Sequence, residues 1–227
     1  MQSSTLERRL PLAFAASLLA AACARTPETV PPSTPAPTPL EAQLERLAEL
    51  GITPGEGLVA GDLFAFHPRE AFEAAPYTLL TETLARAVGD EGQPPRCDRL
   101  WTCKLASAPA PGAYAQWLER LEHMTGAALG LEELNDGVGS AEDPRAWVSF
   151  QRDGAAVSVY LARHEDSLDP SILGTYADML RRGDSGLQLF VASERPDSDR
   201  ELLLAALKPQ HRAAFSELTG IALAPLK

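Results

Sequence analysis

A proline-rich segment near the N-terminus separates a part of the chain that can fold from a part that cannot. Among serine, threonine and alanine residues it holds six prolines, at Pro27, Pro31, Pro32, Pro35, Pro37 and Pro39. Such a composition offers almost no apolar surface to bury, and each proline restricts its own φ angle. We therefore predict an extended tether over 23–38, reaching roughly 40 to 50 Å at about 3.1 Å per residue. The folded domain is predicted at 39–227.

The residues before this tether have the arrangement of a secretory signal. Arg8 and Arg9 precede an uncharged, mostly apolar run from 10 to 22. As a helix, this run would be too short to cross a hydrocarbon core of ~30 Å. We therefore predict a signal peptide at 1–22. An ordinary secreted protein cut at an Ala-x-Ala site is an alternative, and the paired arginines also resemble a twin-arginine export signal.

The end of this signal, Leu19-Ala20-Ala21-Ala22, leads directly into Cys23 and resembles the lipobox of bacterial lipoproteins. The resemblance covers the first 23 residues only, and Ala20 departs from the commonest pattern, which has leucine there. It implies that the signal is cut before Cys23 and that a lipid such as palmitate on this cysteine anchors the protein in the cell envelope. In this family an aspartate after the cysteine marks inner-membrane retention. Because Ala24 stands there, the resemblance implies the outer membrane, facing the periplasm in a Gram-negative host.

The charge balance disfavours nucleic acid as a partner. The chain carries 31 acidic and 20 basic side chains, and removal of residues 1–22 leaves 30 and 18, a net charge of −12. An acidic surface repels phosphate backbones and anionic headgroups. We therefore expect membrane contact through the lipid on Cys23, a possible envelope protein as a partner, and no transmembrane helix after the signal.

Hydrophobic periodicity predicts alternating helices and short strands in the folded part. Apolar residues recur at helical spacing between capping residues at 39–50, 76–89, 112–125, 169–182 and, with an interruption at Pro209, 198–219. Strands are predicted at 63–66, 100–106 and 186–193, and Asp153-Gly154 predicts a hairpin between 147–152 and 155–163. The spacing within 112–125 places Arg120 and Glu122 on the solvent side. The glycine-rich stretch 130–145 is predicted to be the least structured.

These elements predict an α/β fold, with α+β as an alternative. An N-terminal amphipathic helix would precede two similar strand-helix-strand-helix halves, at 58–130 and 146–223, that share one core. The halves have identities at a fixed offset of 94 residues, including Pro76 with Pro170 and Leu79 with Leu173. Ordinary helix capping also reuses proline and glycine, so these identities have a second explanation. A true internal repeat requires like neighbours for the strands at 101–105 and 187–191.

The two cysteines after Cys23 are predicted to form a disulfide. Cys97 and Cys103 make an even pair in an exported protein, and the oxidising compartment favours their bond. Because the loop is short, its closure contributes only about 2 to 2.5 kcal/mol. The spacing is not Cys-x-x-Cys, so a redox site is the less favoured reading.

The folded part contains only weak candidates for a metal site or a catalytic site. His164, Asp166 and Asp169 follow a strand within six positions, and such groups can ligate zinc or transfer protons. Their spacing matches no ligand signature, so we predict no metal and no cofactor. The segment Gly183-Asp184-Ser185-Gly186 resembles the nucleophile segment of trypsin-like proteases, but that family's upstream histidine motif is missing here, and no catalytic residue is predicted.

The sequence thus favours a lipid-anchored binding or assembly module of the cell envelope, without naming its partner. A small-ligand or metal-binding lipoprotein is the first alternative, and an envelope hydrolase is the second. Partner binding should leave an exposed apolar patch, whereas an enzyme should have a cleft where titratable groups converge.

Overall fold

Helices and strands follow one another through all the residues that the computed structural model describes, which are 37–86, 96–105, 110–139, 145–192 and 201–227. The α-helices are α1 (Leu40–Glu49), α2 (Arg69–Ala74), α3 (Thr78–Ala85), α4 (Ala113–Thr125), α5 (Ser171–Arg182) and α6 (His211–Thr219), with a 3₁₀ helix at Ala60–Ala65. The strands are β1 (Leu100–Lys104), β2 (Glu132–Gly137), β3 (Ala146–Arg152), β4 (Ala155–Leu161), β5 (Gln188–Ala192), β6 (Glu201–Leu207) and β7 (Leu223–Pro225). Cys23 and the predicted signal peptide lie outside the described residues.

Two antiparallel sheets confirm the predicted mixture of helices and strands. One has four strands in the order β1-β6-β5-β7, and the other has three in the order β2-β3-β4. The predicted hairpin forms between β3 and β4, which pair without a register shift from Arg152 opposite Ala155 to Ala146 opposite Leu161. Asp153 and Gly154 have φ angles of 52° and 74°, as a two-residue type I′ turn requires.

The four-stranded sheet carries a hydrophobic cluster on each face. The first cluster joins α1, α3 and α6 to the sheet through residues that include Leu47, Leu84, Phe215, Leu203 and Ala205. The second cluster joins α4, α5 and the inner face of the three-stranded sheet through residues that include Leu118, Tyr176, Phe150, Leu204 and Ala206. Because alternate side chains of β6 enter different clusters, this strand connects the two halves of the core.

The prediction of a helix beginning at 198 is wrong, because residues 201–207 form β6. Leucine and alanine favour helices, and Glu201–Leu207 contains little else. However, β6 pairs with β1 on one side and β5 on the other. A strand buried on both faces appears in a sequence as a continuous apolar run, which periodicity does not distinguish from a buried helix.

Two further local predictions are corrected. The apolar run at 63–66 forms the end of a 3₁₀ helix, which Phe66 follows, rather than a strand; Leu63 is buried, and Phe64 and Phe66 are exposed. The stretch 130–145, predicted to be the least structured, contains β2, which pairs with β3. Its Asn-Asp-Gly composition is typical of turns, and the pairing with β3 overrides that preference.

The strand order contradicts the predicted equivalence of β1 and β5. Both strands contribute to the second cluster, through Trp101 and Cys103 on β1 and Leu189 on β5, so they share a core as expected. Their neighbours differ, because among the described residues β1 pairs only with β6, whereas β5 lies between β6 and β7. Equivalent strands of an internal repeat should have equivalent neighbours, and these do not.

The predicted disulfide is absent, because Cys97 and Cys103 are both free thiols. Cys97 lies in the first cluster and Cys103 in the second, so the sheet separates them. A disulfide needs Cα atoms within about 7 Å and side chains directed toward each other. Burial raises the pKa of both thiols, that of Cys97 to about 11.

Candidate binding site

A partly buried carboxylate on β2 holds the start of helix α4 in place. The carboxylate of Asp136, on β2, accepts hydrogen bonds from the backbone amides of Gly112, Tyr114 and Ala115, at 2.6 to 3.0 Å. These amides are the unsatisfied donors at the start of α4. Asp136 therefore stabilises α4 from a neighbouring strand. Capping residues are recognised in a sequence next to the helix start, so a cap 24 residues away could not be predicted.

Asp169, one of the three weak metal candidates, has a structural role. Its carboxylate accepts hydrogen bonds from the backbone amides of Ala162 and Ser171, and its own amide donates to the Tyr114 hydroxyl. Burial alone would raise the pKa of Asp169, but these amide hydrogen bonds, with His164 nearby, lower it. Both carboxylate oxygens of Asp169 therefore accept hydrogen bonds from backbone amides.

Glu122 and Arg120 on α4 face the interior, contrary to their predicted exposure. Glu122 accepts a hydrogen bond of 2.6 Å from the Tyr176 hydroxyl, and Arg120 Nη2 donates to the carbonyl oxygens of Cys97 and Leu100. Burial lowers the pKa of the Arg120 guanidinium. Periodicity cannot reveal such positions, because the partners lie on distant elements.

His164, near Asp169, lines a small pocket. The pocket has a volume of about 190 Å³ and is lined by Val138, Gly139, Arg163, His164 and Glu165. Within the described part of the chain, no group of three histidine, cysteine or acidic side chains is arranged to hold a metal ion. His164, Asp166 and Asp169 are therefore not brought together as ligands.

A larger cavity, of about 220 Å³, lies between the end of α1 and the start of α6. It is lined by basic side chains, Arg99, Lys208 and His211, together with Glu49. Two of these already have protein partners: Arg99 donates to the carbonyl of Met124 at 2.7 Å, and Nδ1 of His211 lies 3.0 Å from the carbonyl oxygen of Leu50. Two of the three basic side chains that line the cavity therefore already contact backbone carbonyl oxygens.

The outer face of the three-stranded sheet is the most distinctive surface. We call it the aromatic face and define it by its outward residues Asn135, Trp147, Ser149, Ser158 and Tyr160. In the sheet register, Trp147 stands opposite Tyr160 and Ser149 opposite Ser158. Trp147 is 37% exposed and Tyr160 65% exposed. Two adjacent aromatic side chains on an open sheet face offer a large apolar area for a partner.

The glycine opposite Trp147 explains how the indole is placed. Gly137 on β2 is the register partner of Trp147, and a Cβ atom at this glycine would lie only 2.5 Å from the indole Nε1. The indole therefore lies down over the glycine backbone. On the other side, the guanidinium of Arg145 lies 5.0 Å from the centre of the Tyr160 ring, which is within the range of a cation–π contact.

A second group of exposed apolar side chains surrounds the 3₁₀ helix. Val59, Phe64 and Phe66 are 63%, 39% and 43% exposed. The two phenyl rings have cationic neighbours. The guanidinium of Arg96 lies 3.5 Å from the centre of the Phe66 ring, and that of Arg69 lies 5.4 Å from the centre of the Phe64 ring. Both rings of this patch therefore have a cationic neighbour, whereas on the aromatic face only the Tyr160 ring is recorded with one among the described residues.

Comparison with known proteins assigns no family to this chain. Among the described residues, no helix has the length and hydropathy needed to cross a bilayer. No protein-family model matches the sequence, and neither a curated protein nor a solved structure matches it significantly.

Proposed function

We propose that this protein is a lipid-anchored binding module of the cell envelope, which presents the aromatic face to a protein partner. The observation that carries the proposal is the adjacent exposure of Trp147 and Tyr160 on one open face of a sheet. Exposed aromatic side chains are enriched at protein interfaces, where they supply most of the binding energy.

The rest of the molecule favours binding over catalysis. Asp136, Asp169 and Glu122 each accept hydrogen bonds from the protein itself. An active site needs several titratable groups that converge on open space. Among the described residues these carboxylates are instead directed at backbone amides or at a buried hydroxyl. In the cavity between α1 and α6, where Glu49 and Lys208 also lie, Arg99 and His211 already have backbone carbonyl partners.

The predicted lipid anchor and tether would hold the domain near its partner. A lipid on Cys23 would hold the chain at the outer membrane, and the proline-rich tether would let the domain sample a shell of roughly 40 to 50 Å. A single weak binding surface gains affinity when its partner lies within such a shell, because the tether raises the effective concentration.

The test is site-specific photocrosslinking of the full-length protein in its host cell. A photoreactive phenylalanine derivative replaces Tyr160 on the aromatic face or, as the matched control, Arg212, which is exposed on α6. We expect crosslinked products at position 160 and few at position 212. Equal products at both positions would contradict the proposal.

A second variant tests whether the position of the Trp147 indole matters for binding. Gly137→Ala keeps Trp147 but displaces its indole, because the new Cβ would occupy the indole position. We expect this variant to reduce crosslinking from position 160 while leaving the membrane fraction of the protein unchanged. Undiminished crosslinking in both Gly137→Ala and Trp147→Ala would show that the indole takes no part in binding.

A further inference from the structure

We propose that β4 pairs edge to edge with β4 of a second copy of this chain, antiparallel and centred on Ser158. The inference rests on the proposed function for the membrane anchoring that brings two copies together, and it names a partner for the edge of the sheet that bears the aromatic face. It places two three-stranded sheets side by side as one six-stranded sheet.

The first argument is that β4 is an unprotected sheet edge. Strands at sheet edges normally carry charges, prolines, bulges or covering elements that prevent association. The seven residues Ala155–Leu161 include no charged residue and no proline, and they pair with β3 without a register shift. Within the described residues, the other side of β4 has no strand partner.

The other three edges have the expected protection. β2 carries Glu132 and Glu133 and a register shift before Asn135. β7 has only three residues and ends in Pro225, while β1 ends in Lys104. Charges, prolines and register shifts are absent from β4, and its neighbours α5 and Asp169 lie at its C-terminal end, where Asp169 accepts from the amide of Ala162.

The second argument is the direction of the backbone groups. In a two-residue hairpin the residues that flank the turn, here Arg152 and Ala155, exchange both of their hydrogen bonds. Because hydrogen-bonded and non-hydrogen-bonded pairs alternate in antiparallel sheets, the amides and carbonyls of Ala156, Ser158 and Tyr160 point away from β3. A twofold axis at Ser158 pairs these residues with one another in the second copy, and all three pairs then form hydrogen bonds.

The third argument is that the side chains fit in the same register. On the outer face Tyr160, 65% exposed, stands opposite the small Ala156 of the copy, and Ser158 stands opposite Ser158. On the inner face the half-buried Val157 stands opposite Val159. Large side chains meet small ones, and no like charges face each other across the strands.

A dimer of this kind should be weak in solution and stronger on a membrane. One added strand pair buries less surface than a stable interface needs, and the net charge of the chain opposes close approach. Lipid anchoring of both copies confines them to one surface and raises their effective concentration.

The first test uses an engineered cysteine on the proposed axis. Cα atoms of a hydrogen-bonded antiparallel pair lie about 5.5 Å apart, within the range that a disulfide bridges. Membranes containing full-length Ser158→Cys protein are oxidised with copper phenanthroline and analysed on a non-reducing gel. Ser149→Cys is the matched control, because it lies on the same face but on the central strand β3, and the unaltered chain controls for its own cysteines.

We expect a crosslinked dimer with Ser158→Cys and little with Ser149→Cys or the unaltered chain. Equal dimer in all three samples, or none with Ser158→Cys, would overturn the proposal. Failure here together with crosslinks from position 160 to other proteins would leave the proposed function standing and remove only the self-pairing.

The second test measures association of the purified mature chain carrying Cys23→Ser by sedimentation velocity over a range of concentrations. Ser158→Lys places like charges opposite each other on the axis, and we expect it to raise the dimer dissociation constant roughly fivefold or more. Ala213→Lys, at an exposed position on α6, should leave the constant unchanged. Circular dichroism confirms that both variants are folded, and identical constants for them would contradict the proposed register.

Discussion

Glu122, Thr125 and Tyr176 form a buried hydrogen-bonded group between α4 and α5. The Tyr176 hydroxyl lies 2.6 Å from both Glu122 Oε1 and Thr125 Oγ1. The second carboxyl oxygen of Glu122 accepts from the Leu131 amide at 3.3 Å. Burial, followed by the contact with Glu122, raises the pKa of Tyr176 above its ordinary value. At the scale of single residues, stability thus depends on satisfying polar atoms inside an apolar cluster.

Tyr176→Phe should therefore destabilise the fold by about 2 kcal/mol, because it leaves one oxygen of the Glu122 carboxyl without its donor. Urea unfolding followed by circular dichroism measures the change. Tyr160→Phe removes an exposed hydroxyl instead and should alter the free energy of unfolding by less than about 0.5 kcal/mol. Equal effects of the two substitutions would show that the buried hydrogen bond contributes nothing.

Cys97 should make stability sensitive to alkaline pH. Burial raises its pKa from 9.0 to about 11, so the thiol favours folding fully below pH 9, and this contribution is lost as the pH rises through 11. By pH 10.5 the loss is about 2 kcal/mol. Unfolding of the protein and of Cys97→Ala, compared at pH 8 and pH 10.5, should show a smaller pH effect in the variant.

At the scale of elements, helix α4 depends on a strand for its N-terminus. Gly112, directly before α4, has a φ angle of 88° and supplies no side-chain cap. Asp136 of β2 accepts the hydrogen bonds instead. A carboxylate at this end also interacts favourably with the helix dipole. The link between β2 and α4 is therefore polar as well as apolar.

We expect Asp136→Ala to cost about 2 kcal/mol of stability, because three amides at the start of α4 lose a charged acceptor. Asp136→Asn should restore part of this loss, since its side-chain oxygen still accepts. Asn135→Ala, at the neighbouring exposed position, is the control and should be nearly neutral. Chemical denaturation reports all three values, and a neutral Asp136→Ala would contradict the capping role.

At the scale of the whole molecule, the proposed interactions depend on the predicted lipid at Cys23. Growth of the host with a clickable palmitate analogue should label the protein and should not label Cys23→Ala. The labelled protein should sediment with the membranes, whereas the variant should be released. Labelling of both forms would show that the lipid is attached elsewhere or that the label is not specific.

Helices with one apolar stripe were predictable from the sequence. The periodic segments at 39–50, 112–125 and 169–182 correspond to α1, α4 and α5, and the Asp153-Gly154 turn to the β3–β4 hairpin. In these segments local chemistry and tertiary burial agree, because the side of the helix or turn that the sequence marks as apolar is the side that packs.

Only the tertiary structure decided the identity of β6 and the surroundings of the polar groups. Helix-favouring residues form β6 because two strands need a partner between them. Arg120, Glu122 and Asp136 are positioned by groups more than eight residues away, and the two thiols are separated by a sheet. Sequence patterns report which residues can be buried within one element. They do not report which distant strand, hydroxyl or amide will meet them, because pairing across the chain is decided by the packing of the whole core.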